Sequence, residues 1–194
     1  MRSRLVFGLG IAAGAILLAV YPLIGSEQPG AASAMGGDMV ARGKYFVHMM
    51  GCGDCHSPKV MTAMGPVEDT TRLFCGQPAN EVPPPYSGEL NPATWMAACN
   101  SHMSAWVGPW GTSYAANLTS DKKTGLGNWT DEQFIQSMRT GKHRGYGRDI
   151  LPPMPWFNYR HATDDDLKAM LAYFKSTKPI VNQVPEPLPS TAGK

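Results

Sequence analysis

The residues best suited to chemistry are two cysteines and a histidine in the sequence Cys52-Gly53-Asp54-Cys55-His56. Two thiols at this spacing on one helical turn can add to the two vinyl groups of a single haem. The adjoining histidine can then reach the iron from the same side. In an exported protein this motif is typical of c-type haem attachment. The motif therefore predicts one covalent haem c, held by Cys52, Cys55 and His56.

The Cys-x-x-Cys spacing also occurs in other kinds of site. A redox dithiol lies at the start of a helix that follows a strand, and no βαβ pattern surrounds Cys52. A zinc site needs a second pair of ligands at finger-like spacing, which Cys75 and Cys99 do not form. A chance match is the third alternative. Haem attachment is the interpretation that the motif favours.

A methionine in a proline-rich segment is the candidate for the second axial position of the haem iron. Met154 lies in the Leu-Pro-Pro-Met-Pro-Trp run of residues 151–156, between two predicted helices. Prolines stiffen the loop, which can then hold a thioether against iron, and a thioether favours the ferrous state. Ordinary apolar packing of Met154 is the alternative. Four histidines are rival ligands: His48, His102, His143 and His161.

Two further cysteines, Cys75 and Cys99, lie outside the motif. In an oxidising compartment an even number of remaining cysteines predicts a disulfide, here between Cys75 and Cys99. Such a bond would constrain the loop-rich stretch between them. The alternative is a pair of buried free thiols that pack as small apolar side chains.

The N-terminal segment has the features of an export signal. Arg2 and Arg4 precede an uncharged apolar run over residues 5–24, which is long enough to cross a bilayer as a helix. Ala32-Ser33-Ala34 forms a small-residue cleavage site. Residues 1–34 are therefore predicted to be a transmembrane anchor or a cleaved signal peptide. In both cases the chain beyond residue 34 is exported.

Three amphipathic helices are expected in the exported part. The pattern predicts helices at 38–50, at 131–140 after the capping box of Thr130 and Gln133, and from residue 164 to before Pro179. A local helix is also expected over residues 91–100. Otherwise residues 57–128 are predicted to be a loop-rich insert, and residues 181–194 an extended proline-rich tail.

The composition limits the class of protein. The 194 residues include 21 glycines and 17 prolines, so little of the chain is free to build a packed core. A net charge of +2 excludes a nucleic-acid binder that works by bulk charge. A hydrophobic content of 43% excludes disorder throughout the chain. A single domain built around a non-protein apolar group agrees with all three observations.

The order of these features resembles that of class I c-type cytochromes. Residues 38–180 show a helix, the attachment motif, an insert, a second helix, the Met154 loop and a terminal helix. The segments at 117–119, 124–127 and 152–156 are similar to segments of membrane-linked bacterial monohaem cytochromes and of cytochrome domains in periplasmic dehydrogenase complexes. The resemblance implies an all-α cytochrome c fold over residues 35–180, with few helices around one haem. The apolar run of residues 5–24 adds an expected N-terminal apolar helix before it.

The resemblance also implies roles for individual residues. The first and last helices are expected to cross, with Gly43 close to Tyr173 and Phe174. Trp129 and Arg148 are expected to contact the haem propionates, with Tyr146 or Asn158 as other candidates. The insert at 57–128 departs from the small cytochromes, and the resemblance leaves its role open.

Ligation by both His56 and Met154 leaves no open iron position for a substrate. The predicted function is therefore one-electron transfer on the periplasmic side of a bacterial membrane, as a carrier or as a non-catalytic subunit of a complex. Expected partners are a dehydrogenase, a quinol-oxidising complex or a terminal oxidase, with the N-terminal helix as a membrane contact. A haem enzyme of the peroxidase kind or a haem-based sensor is the alternative if Met154 does not bind the iron.

Overall fold

A computed structural model describes residues 39–190 of the chain, except Glu89 and Pro92. The predicted apolar run at 5–24 and the cleavage site at 32–34 lie outside the described residues. Within the described part, no helix combines the length and apolarity that a membrane span requires. The helices are α1 (Met39–Met49), α2 (Cys52–His56), α3 (Asp131–Thr140), α4 (Trp156–Tyr159) and α5 (Asp164–Ser176).

The core forms where α1 crosses α5. Val47 of α1 and Leu171 of α5 are both fully buried. A Cβ atom on Gly43 would overlap the backbone carbonyl of Ala169 and would press against the Cβ of Tyr173. Glycine therefore permits the close approach of the two helices. The predicted contact with Tyr173 is confirmed, whereas Phe174 is not among the nearest neighbours and the nearer partner, Ala169, was not predicted.

The capping signals placed the next helices correctly. The Thr130 side chain accepts a hydrogen bond from the Gln133 N–H, and the Gln133 side chain accepts one from the Thr130 N–H. Gly141 ends α3 in the left-handed region at φ 70°, which glycine adopts without strain. Thr163 begins α5 by accepting from the Asp166 N–H. These helix boundaries follow from local hydrogen bonding, so the sequence predicted them.

The described chain also contains two small antiparallel sheets. The first pairs β1 (Lys59–Thr62) with β2 (Gly65–Glu68). The second has the order β3-β4-β5, from β3 (Ala98–Cys99), β4 (Ala105–Gly108) and β5 (Gly111–Tyr114). All five strands fall inside the segment that was predicted to be loop-rich.

The all-α prediction is therefore wrong, and so is the predicted helix at 91–100. The side chain of Asn100 accepts hydrogen bonds from the N–H groups of Ser104 and Ala105. These bonds close a turn between β3 and β4, which a helix through Asn100 would not allow. In β4 and β5, aromatic and β-branched residues favour strand pairing.

The proline-rich tail lies against the domain. Leu188 and Thr112 of β5 exchange two backbone hydrogen bonds of 2.9 Å each. The Asn182 side chain donates to the carbonyls of Cys75 and Gln77, and it accepts from the Ala79 N–H. These contacts fix the tail on the insert over its described length.

The structure does not join Cys75 to Cys99 as the sequence predicts, and both are free cysteines there. Cys75 is buried, whereas Cys99 is exposed on β3. A buried polar cluster holds this part of the insert instead. The Gln77 side chain accepts from Asn100 and Ser104, and it donates to the carbonyls of Pro78 and Glu81. The polar atoms of the Gln77 side chain therefore all have hydrogen-bond partners, and no covalent link is involved.

Candidate haem site

One cavity of about 300 Å³ collects the predicted site residues. Much of its wall is apolar, with Leu126, Phe134 and Phe174 among the lining residues. All six residues that the sequence proposed as haem contacts line it: Cys52, Cys55, His56, Trp129, Arg148 and Met154. A deep apolar cavity with a few polar groups is the usual form of a cofactor site.

The His56 ring is held in one orientation by the insert. Its Nδ1 lies 2.7 Å from the carbonyl oxygen of Ala116. A carbonyl can only accept, so Nδ1 carries the proton and Nε2 keeps its lone pair for a metal. Burial lowers the pKa of His56, which favours the neutral ring that iron ligation requires. The side chain is therefore prepared to act as an axial ligand.

Met154 lines the same cavity from the loop between α3 and α4. It is half-buried and packs against the hydrophobic core. The preceding part of the loop is held by β5, because the Ser113 hydroxyl donates to the Pro152 carbonyl at 2.6 Å. Of the rival histidines, His143 also lines the cavity. The insert thus contributes to the position of both proposed axial ligands.

The two motif cysteines have environments that differ from those of redox dithiols. Burial raises the pKa of Cys52 to about 12, and burial also raises the pKa of Cys55. Redox-active and metal-binding thiols need a lowered pKa, since the thiolate is the reactive form. The site thus offers two thiols beside a histidine at one cavity wall, and this arrangement fits haem attachment.

Aromatic and cationic side chains occupy another part of the wall. The Trp129 ring contacts His143 edge to face with centroids 5.0 Å apart, and the Arg144 guanidinium lies 5.3 Å from the Trp129 ring centroid. Arg148 Nε is 3.8 Å from a carboxylate oxygen of Glu186. The Glu186 carboxylate of the tail is thus close enough to compete with a haem propionate for Arg148. The sequence did not indicate this contact.

Several lining residues were missed by sequence reasoning. Tyr159 lines the cavity and donates from its hydroxyl to the Met50 carbonyl at 3.3 Å, and burial raises its pKa to about 12. Ala116 takes part through its backbone, which no side-chain pattern reveals. Residues 183–187 of the tail also line the cavity. The prolines of the tail predict an extended segment, but they do not predict where on the domain that segment lies.

The chain is similar to cytochrome subunits of dehydrogenases. It is 30% identical over 157 residues to the alcohol dehydrogenase (quinone), cytochrome c subunit, of Gluconobacter oxydans, covering 79% of this chain and 25% of that protein. It is 31% identical over 136 residues to the gluconate 2-dehydrogenase cytochrome c subunit of Pantoea cypripedii, covering 70% of this chain and 22% of that protein. The fructose dehydrogenase cytochrome subunit of Gluconobacter japonicus is 39% identical over 83 residues, which are 43% of this chain and 16% of that protein.

The chain thus spans about a quarter or less of the length of these relatives. No family model matches it. Together, the similarity and the attachment motif identify a class I c-type cytochrome domain. It is similar to the cytochrome c domains of dehydrogenase subunits, and its cofactor is covalently attached haem c.

Proposed function

We propose that this protein transfers single electrons through one haem c attached at Cys52 and Cys55, with His56 and Met154 as axial ligands. The observation that carries the proposal is that these four side chains line one cavity, although Met154 comes from a distant part of the chain. When bound, the haem supplies a reversible one-electron couple. Occupation of both axial positions by the protein suits a carrier rather than a catalytic subunit.

The protein's own residues hold the group and keep water away. The Ala116 carbonyl orients His56, and the Ser113 hydroxyl helps to fix the Met154 loop. Leu126, Phe134 and Phe174 supply apolar wall. Such burial raises the reduction potential, since a charged iron centre is less stable in a low-dielectric site. In our proposal Trp129 and Arg148 lie on the propionate side, where the guanidinium favours a carboxylate.

The relatives support a dehydrogenase as the redox partner. Their names describe cytochrome subunits of alcohol, gluconate and fructose dehydrogenases. We infer that this domain accepts electrons from a comparable enzyme, or from a quinol-oxidising complex, on the periplasmic side and passes them to a terminal oxidase. His143 and Arg148 line the cavity, and Lys142 and Arg144 are next to His143 in the chain. This basic segment would favour an acidic partner surface.

Replacement of Met154 tests the axial assignment. In holoprotein made in a bacterium that matures cytochromes c, Met154→Ala should keep covalent haem on a denaturing gel. It should lose the red-region sulfur-to-iron charge-transfer band of the oxidised protein, because that band needs a thioether on the iron. Met64→Ala is the matched control, since Met64 is 95% exposed on the β1–β2 hairpin and should keep the band.

Two results would contradict the proposal. One is survival of the charge-transfer band in Met154→Ala. The other is rapid carbon monoxide binding by the reduced wild-type protein, which would show an open iron position. Survival of the band would show that another methionine binds the iron, whereas rapid carbon monoxide binding would favour a haem enzyme or a haem-based sensor.

A further inference from the structure

A buried lysine lies directly beyond the haem-attachment helix. Lys59, the first residue of β1, is 8% exposed. Its Nζ donates to the carbonyl of Gly53 at 3.0 Å and to that of Ser57 at 2.7 Å. Gly53 lies inside α2, and Ser57 follows it. The ammonium group therefore binds one carbonyl oxygen within the helix that ends with His56 and one directly after it.

The surroundings of Lys59 hold its backbone and place acidic side chains near it. The Lys59 N–H donates to His102 Nδ1 at 3.0 Å, and His102 Nε2 lies 3.0 Å from a carboxylate oxygen of Glu81. Glu68 lies against α2, because a Cβ atom on Gly53 would overlap the Glu68 carboxylate. Burial lowers the pKa of Lys59, and the negative charge of Glu68 acts in the opposite direction.

We propose that Lys59 is a positioning residue that also sets the reduction potential of the bound haem. It would do so by bracing α2 and by placing a buried positive charge beside the haem-attachment motif. This inference rests on the proposed attachment of haem at Cys52, Cys55 and His56. Uptake of one electron from a reductant lowers the positive charge of the iron site by one unit. A fixed positive charge nearby therefore favours the reduced state, and burial limits its screening.

The test is a redox titration of holoprotein variants with dithionite and ferricyanide, followed by visible spectra at low and high salt. Lys59→Met should have a lower midpoint potential than the wild type, and the difference should persist at high salt. Lys59→Arg keeps the charge and should stay close to the wild type. Lys44→Met removes an exposed lysine of α1, so any shift it causes should be small and should vanish at high salt.

An unchanged midpoint potential in Lys59→Met would overturn the inference, as would an equal decrease in Lys59→Arg. If Lys59→Met does not accumulate with haem, Glu68→Gln decides the question. That change leaves the Lys59 charge less compensated, so the midpoint potential should rise, and an unchanged or lower value would overturn the inference. Loss of covalent haem from the wild-type protein on a denaturing gel would instead refute the proposed function.

Discussion

At the scale of single residues, the site depends on hydrogen bonds that fix side chains whose chemistry the sequence already shows. His56 is the clearest example, because the motif identifies it but the Ala116 carbonyl gives it its tautomer and orientation.

Asp69 is also fixed by hydrogen bonds, within the insert. Its carboxylate accepts from the N–H and hydroxyl of Thr71 and from the guanidinium of Arg72.

These hydrogen bonds, first from Thr71 and then from Arg72, lower the pKa of Asp69 from its usual 3.8 to about 2. A carboxyl with a lowered pKa in the folded state stabilises the fold above its unfolded pKa, and this contribution is lost as the pH falls towards 2. Asp69→Asn should therefore lower the free energy of unfolding by about 1 kcal/mol at pH 7, a value limited by solvent screening.

Urea unfolding of the holoprotein at pH 7 and at pH 2.5 measures this dependence. The difference between Asp69→Asn and the wild type should shrink at the lower pH. Asp149→Asn is the matched control, because Asp149 pairs with Lys142 at an exposed site and should change stability by less. An equal effect of Asp69→Asn at both pH values would contradict the assignment.

At the scale of elements, the crossing of α1 and α5 provides the frame on which the haem-attachment helix is placed. The Arg42 guanidinium of α1 donates to the Asp166 carboxylate of α5, and Asp166 also accepts from the Thr163 hydroxyl. Burial alone would raise the pKa of Asp166, but the hydrogen bonds from Thr163 and Arg42 outweigh it, and the pKa is lowered. The close approach at Gly43 is the steric condition for this crossing.

Gly43→Ala should destabilise the domain although alanine favours helix formation. The added methyl group would overlap the Ala169 carbonyl, and backbone cannot move away as a flexible side chain can. We expect a loss of about 1–3 kcal/mol, typical of overpacking. Thermal unfolding of the holoprotein measures it. Ala41→Val is the matched control, since it enlarges an exposed residue of the same helix. A Gly43→Ala protein as stable as the wild type would show that the helices can separate without cost.

At the scale of the whole molecule, the insert and the tail close the haem cavity together. The insert supplies the acceptor of His56 and the hydroxyl that holds the Met154 loop, while tail residues 183–187 line the cavity. Asn182 connects the two regions through its three side-chain hydrogen bonds to residues 75, 77 and 79. The wall of the haem cavity is therefore complete only when the tail is bound to the insert.

Asn182→Ala should release the tail from the insert. Loss of two partly buried hydrogen bonds and one exposed hydrogen bond should cost about 1–3 kcal/mol in the free energy of unfolding. Limited proteolysis should also cut within residues 183–187 faster than in the wild type, since protection there depends on local docking. Asn128→Ala is the matched control, because the exposed Asn128 side chain donates to the Lys122 carbonyl at a single site. Equal cleavage rates in the two variants would show that Asn182 does not hold the tail.

The sequence by itself determined the features that depend on neighbouring residues. The attachment motif, the α3 capping box and the apolar repeat of α5 are short-range patterns, and their chemistry or hydrogen bonding is complete within one or two turns. The tertiary structure decided how the insert folds, where the tail docks and which carbonyl orients His56. It also left Cys75 and Cys99 as free thiols. These features depend on backbone groups and buried polar side chains distant in sequence, whose partners are defined only when the chain has folded.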